Sequence, residues 1–146
     1  MTGYACRRLT VDDMPVLTEL HLRYKQEIGE DAPDAAALQR LCEAIRQERI
    51  LFFGCEAQGR LLGICSVTRG FSTFCYGTSG VFEDFYIVPE HRHQGIAGKM
   101  AAFAYRESGV QTMTVGCAPC DRAMYEAIGF QVRLGEMLAW EEAEPC

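Results

Sequence analysis

Residues 82 to 104 constrain this chain more than any other stretch. An aromatic and β-branched run, Phe82 to Val88, stops at Pro89, and a polar loop carrying Arg92 and Gly95 follows. Ile96, Ala97, Met100, Ala101 and Ala104 then recur at helical spacing. The pattern is strand, loop, helix. It sets the loop's amides at a helix N-terminus, where unpaired N–H groups and the positive end of the dipole favour an anion. Gly95 permits a close backbone approach, and the small Ala97 and Gly98 keep the helix start open. Arg92 and Lys99 add positive charge suited to a pyrophosphate or a nucleotide phosphate. The loop does not end in Gly-Lys-Ser/Thr, as a P-loop does, and it lacks the strand-helix-strand setting of a dinucleotide fingerprint.

The rest of the composition narrows the class. With 146 residues, 49% of them apolar and evenly spread, the chain reads as one domain with a proper core. A net charge of −6 argues against nucleic acid as a partner. No apolar run reaches membrane length and the N-terminus does not read as a signal peptide, so a cytoplasmic protein with no membrane partner is expected. Of the eight cysteines, Cys42, Cys55 and Cys65 lie inside apolar runs and read as reduced core residues. Cys117-Ala-Pro-Cys120 is a single C-x-x-C without the second ligand pair that zinc needs, so no metal is expected. It reads as thiols filling tight space at a strand end, with a redox motif as the alternative.

Periodicity outlines the remaining elements. Tyr4 to Leu9 is a short strand, and Thr10 or Asp12 caps a helix with Met14, Leu17, Leu20, Tyr24 and Ile28 on one face. A second helix runs from about Asp34 to Gln47, with Leu38, Leu41 and Ile45 inward. Ile50 to Ala57 and Arg60 to Thr68 form a hairpin, and Gly70 to Gly80 is a loop or strand edge. After the strand-loop-helix come a strand over Met113 to Cys117 and a helix over Pro119 to Ile128, closed by Gly129. A last strand is expected over Phe130 to Trp140, with a loose tail from Glu141 to Cys146. The order is mixed α/β, antiparallel in its first half with helices returning late.

Met124-Tyr125-Glu126-Ala127-Ile128-Gly129-Phe130 completes the picture. Together with Arg92-His-Gln-Gly95-Ile-Ala97 about 30 residues earlier, it resembles the GNAT superfamily of N-acetyltransferases over nearly the whole chain. That resemblance implies a central, mostly antiparallel sheet splayed at a coenzyme A site and flanked by about four helices. It implies acetyl-CoA as co-substrate. Its pyrophosphate would be held by the loop and helix start, Arg92, His93, Gln94, Gly95, Ile96, Ala97 and Gly98, and its pantetheine arm by the main chain of Phe85, Tyr86 and Ile87. Two positions depart from the pattern: His93 stands where the superfamily usually has glycine or another small residue, and Ala118 where it often has asparagine.

The chemistry implied is attack of an amine on a thioester. At pH 7 an alkyl ammonium of pKa about 10.4 is free amine in roughly one molecule per few thousand, so a proton must be removed. The run Glu83-Asp84-Phe85-Tyr86-Ile87, with Phe71-Ser72-Thr73-Phe74 before it, resembles the polyamine (spermidine/spermine-like) branch, which points to Glu83 as general base. Since strand side chains alternate, only one of Glu83 and Asp84 is expected to face the site. Tyr125 is the expected acid for the leaving thiolate, and the Ile87 N–H the expected oxyanion donor. Glu27, Glu30, Asp31 and Asp34 lie where the resemblance puts one wall of the acceptor cleft. They suit a small cationic amine: a polyamine, a lysine-like amino acid or an aminoglycoside. A protein lysine or N-terminus is the less favoured acceptor, and a non-catalytic acyl-CoA-binding or regulatory module the rival from another class. Met137-Leu-Ala-Trp140 either closes the core or supports a homodimer.

Overall fold

The computed structural model describes residues 3–141. In chain order it contains β1 (Ala5–Leu9), a 3-10 turn (Val11–Asp13), α1 (Met14–Glu27), α2 (Ala35–Arg46), β2 (Ile50–Ala57), β3 (Arg60–Ser72) and β4 (Gly77–Ile87). These are followed by α3 (Ile96–Ser108), β5 (Thr112–Thr114) and α4 (Arg122–Ile128). The strands form one sheet in the order β1-β2-β3-β4-β5. Neighbours are antiparallel up to β4, and β5 runs parallel to β4. This is the mixed, mostly antiparallel α/β architecture with four α-helices that the sequence implies. No helix among the described residues is long and apolar enough to cross a membrane.

Alternation along β2 explains how the sheet is buried on both faces. Leu51, Phe53 and Cys55 point to the face covered by α3, where Met100, Ala101 and Ala104 pack. Phe52 points to the other face, against Leu17 and Leu20 of α1 and Ile45 of α2. Local signals start the helices as the chain predicts. Thr10 and Asp13 form a reciprocal capping box on the 3-10 turn that leads into α1, and the Asp34 carboxylate accepts from the Ala37 N–H at the start of α2.

Two irregularities create the site. First, β5 pairs only with Ser79 to Val81, so the outer edge of β4 beyond Val81 has no β5 partner and the sheet opens there. Second, Ser66 pairs with Glu83 and Ile64 with Tyr86, so Asp84 and Phe85 together oppose Cys65. Asp84 takes a left-handed φ of 53° within this β-bulge.

Several expected boundaries need correction. Of the two readings open for residues 70–80, strand holds at both ends, since β3 runs on to Ser72 and β4 starts at Gly77, and only residues 73–76 form a turn between them. The strand expected over Met113 to Cys117 is confined to Thr112–Thr114, and α4 starts at Arg122 after a 3-10 turn over Pro119–Asp121. Residues 130–140 form no strand. Val132, Leu134, Met137, Leu138 and Trp140 are exposed there, so Trp140 does not close the core. A strand needs a partner as well as an alternating sequence, and within the described residues this segment has none. The tail beyond Glu141 lies outside the described residues. Cys55 and Cys65 are buried as expected, but Cys117 and Cys120 are exposed rather than filling tight space.

Candidate active site

The loop after β4 leads into a helix start that is open and uncapped. Gly95 is the N-cap of α3 at a φ of 82°, and no side chain caps the helix. The first N–H groups of α3 are therefore without intrahelical or side-chain partners. A methyl group built on Gly95 or Gly98 would meet nothing within 4 Å, so the approach to these amides is open. His93 has a φ of 63°, the left-handed backbone that glycine adopts most easily, and its side chain is exposed.

Both basic side chains are engaged elsewhere. Arg92 Nε donates to the Ile87 carbonyl at 2.8 Å, its guanidinium lies 5.4 Å from the centre of the Tyr86 ring, and Glu27 pairs with it at 2.9 Å. Lys99 Nζ donates to the Tyr4 carbonyl, and the Tyr4 hydroxyl donates to Gln94 Oε1. Arg92 thus ties the loop to β4 and to the end of α1, while Tyr4 ties it to the start of β1. The polar groups left without a partner at this helix start are main-chain amides.

On β4, the Val88 N–H donates to the Leu62 carbonyl. Antiparallel alternation then turns the N–H and C=O of Ile87 away from β3, toward the open side. Beside this edge lies a cleft of about 310 Å³. Glu83 and Asp84 both line it, because the bulge breaks the alternation that would have turned one of them away. Tyr125 lines it from α4, and Tyr24, Lys25 and Glu30 from α1 and the turn after it.

Burial is the first cause of the shifts of Glu83, Tyr125 and Tyr24, and it raises all three. Burial, then the neighbouring Asp84 charge, pushes the Glu83 carboxyl above its ordinary range, with Lys25 opposing. Burial, then Asp121 and Cys117, raises the Tyr125 phenol, and burial with Asp84 and other neighbours pushes Tyr24 up to about 12. The Tyr125 ring is set by Phe85 and Phe130, with centroids 6.3 and 5.9 Å away, and Phe130 in turn packs on the buried Phe82. Aromatic pairs of this kind add about 1 kcal/mol each beyond simple burial, enough to fix a ring. The expected turn after α4 is present, with Gly129 at a φ of 130°.

The sequence missed the two residues that lie behind Asp84. The Ser66 hydroxyl, fully buried, donates to Asp84 Oδ2 at 2.6 Å, and His21 Nδ1 lies 3.9 Å from Asp84 Oδ1. His21 Nδ1 is buried without a hydrogen-bond partner among the described residues. Burial, with Lys25 adding to it, holds the imidazole below its usual pKa against the pull of Asp84. Its one signal was position: His21 follows Leu17 and Leu20 on the inward stripe of α1. The acidic wall is also less negative than the sequence suggests, because Glu27 pairs with Arg92, and Glu30 with Lys25 at 2.6 Å. Asp34 caps α2. Among the described residues no cluster of three or more His, Cys, Asp or Glu side chains could hold a metal ion.

Comparison with known proteins gives the arrangement a family. No curated protein matches the sequence. Among solved structures, a predicted acetyltransferase with acetyl-CoA from Clostridium acetobutylicum superposes with a TM-score of 0.78 at 16% identity, over 95% of this chain and 96% of that one. An aminoglycoside acetyltransferase from an uncultured soil metagenomic sample, in complex with sisomicin, gives 0.81 at 13% identity, over 97% of both chains. Glucosamine-6-phosphate N-acetyltransferase from Arabidopsis thaliana gives 0.73 at 17% identity, over 96% of this chain and 99% of that one. These likenesses concern the fold. The family model of the acetyltransferase (GNAT) domain matches residues 48–132, more than half of the chain and the whole stretch from β2 through α4, and the protein belongs to the GNAT acetyltransferases.

Proposed function

We propose that this single domain transfers an acetyl group from acetyl-CoA to a primary amine of a small cationic acceptor. The observation that carries the reading is the meeting of Glu83, Asp84 and Tyr125 in one small cleft beside the open edge of β4. The uncapped, unobstructed start of α3 fits the pyrophosphate through the amides from His93 to Gly98, and the outer edge of β4 at Phe85 to Ile87, where Arg92 holds the Ile87 carbonyl but not its N–H, fits the pantetheine amides. The co-substrate supplies an activated acetyl group. Glu83 takes the proton from the acceptor ammonium, directly or through water. The Ile87 N–H stabilises charge developing on the carbonyl oxygen. Tyr125, whose raised pKa keeps it protonated at neutral pH, gives its proton to the departing sulfur. Asp84, held by Ser66, adds a fixed negative charge on the acceptor side.

A cleft of about 310 Å³ suits a small molecule better than a protein segment, and three acids against one lysine favour a cation. The fold neighbours whose names give an aminoglycoside and glucosamine 6-phosphate as acceptors support a small-molecule amine, and the aminoglycoside alone supports a cationic one. Thiol release from acetyl-CoA with a panel of polyamines, lysine, aminoglycosides and a lysine-containing peptide tests this. Turnover is expected with the small polycations and much less with the peptide. Bound CoA with no turnover on any amine would leave only a binding module.

The same reading places the protein in a reducing compartment, the cytoplasm, where the seven described cysteines stay free. It also makes the enzyme a homodimer. Residues 130–140 present five large apolar side chains, each at least 76% exposed, and the outer edge of β5 has no strand partner among the described residues; a second copy would cover both. Light scattering is expected to give the mass of two chains; a monomer mass would remove the dimer and leave the chemistry untouched.

A further inference from the structure

The chain carries twelve arginines but only two lysines, Lys25 and Lys99. Primary amines are what the proposed reaction consumes, whereas a guanidinium is never free base under these conditions. Lys99 has its Nζ on the Tyr4 carbonyl, on the face of the loop tied to β1. Lys25 is placed differently. It belongs to the last turn of α1, its side chain is only 25% exposed, and it lines the same cleft as Glu83, Asp84 and Tyr125. Its Nζ rests 2.6 Å from Glu30 Oε2, and its charge acts on Glu83 in the direction opposite to burial and to Asp84. The cleft argued above to receive a cationic amine therefore already contains one, tethered to its wall.

We infer that Lys25 is itself an acceptor, and that the enzyme acetylates its own Lys25 in cis. This rests on the function proposed above. Tethering replaces a bimolecular encounter by an intramolecular one, so even an imperfect approach gains greatly in effective concentration. Glu83 takes a proton from the Lys25 ammonium, and the freed electron pair forms an N–C bond to the thioester carbonyl carbon as the C–S bond breaks. Of the two protons the nitrogen gives up, one leaves through Glu83 to solvent and the other ends, by way of Tyr125, on the sulfur. The products are Nε-acetyl-Lys25 and free CoA thiol, with no change of oxidation state. The modification removes the one cation that lines the cleft and releases Glu30 from its ion pair. The modified enzyme then offers one more net negative charge to an external polycation, so its KM for such acceptors falls.

The test uses the full chain with acetyl-CoA and no added amine, followed by intact mass and peptide mapping. One acetyl group is expected, on Lys25 and not on Lys99, at a rate that does not change when the protein is diluted. Lys25→Arg should gain none, and Tyr125→Phe and Glu83→Gln should each acquire the mark about 100-fold more slowly. Thiol release with the amine panel is measured on the same preparation. An unmodified Lys25 in a protein that turns over an external amine would overturn the inference while leaving the proposed function standing. Equal labelling of Lys25 and Lys99, or labelling indifferent to Tyr125 and Glu83, would mean unassisted chemical acetylation and overturn it as well. A rate rising with protein concentration would overturn transfer in cis. Neither mark nor turnover would remove both readings together.

Discussion

Replacing Tyr125 by Phe is expected to lower kcat about 100-fold while leaving KM for acetyl-CoA nearly unchanged. The substitution removes the hydroxyl and little else. The ring is held by Phe85 and Phe130, contacts that a phenylalanine keeps, so the fold should be unaffected and thermal denaturation should confirm it. What is lost is the proton for the leaving sulfur. Burial, then the Asp121 and Cys117 charges, raises the phenol above its ordinary value of 10. The direction matters, because an acid with a raised pKa stays protonated further into the alkaline range and stops donating only when the pH climbs past that value. The wild-type rate should therefore hold until above pH 10 and then fall, whereas Tyr125→Phe should show a low rate without that fall. An unchanged kcat, measured by thiol release under saturating acetyl-CoA, would sink Tyr125 as the acid.

The parts of this site that could be read in advance share one property: they are written in local sequence. Pro89 ends a strand, Gly95 starts a helix, Gly129 ends one, and each acts through its own backbone. The unread parts depend on register or on a distant partner. Alternation says that only one of Glu83 and Asp84 faces the cleft, and it fails because a single bulge against Cys65 resets the count. Nothing local to residues 83 and 84 announces that bulge. Arg92 looks like a phosphate ligand until Glu27, 65 residues away, is brought against it. Lys25 and His21 read as ordinary helix positions until β4 is laid across them. Residues 130–140 show the opposite failure, an apolar alternation strong enough to suggest a strand where the fold supplies no neighbour to pair with.

Glu83→Gln tests the other half of the reaction and should separate catalysis from architecture. At neutral pH kcat/KM is expected to fall about 100-fold. The wild-type rate should decline on the acid side at a pH above the ordinary carboxylate value of 4.5, because protonation removes the base as pH falls through the raised pKa. Burial is the first cause of that shift. The groups facing Glu83 then decide its size: Asp84 beside it raises the pKa, Lys25 from α1 lowers it, and Tyr24, Glu30 and Tyr125 complete the wall. The linked stability effect has a definite sign. A carboxyl whose pKa is higher in the folded chain than in the unfolded one weakens the fold once the pH rises past the unfolded value. Removing its charge should therefore leave Tm unchanged or higher. A variant that is much slower, no less stable and without the acid limb identifies Glu83 as the base. An acid limb that survives the substitution would assign the proton to another group, and Asp84, one residue along the bulge and already anchored by Ser66, would be the next to replace.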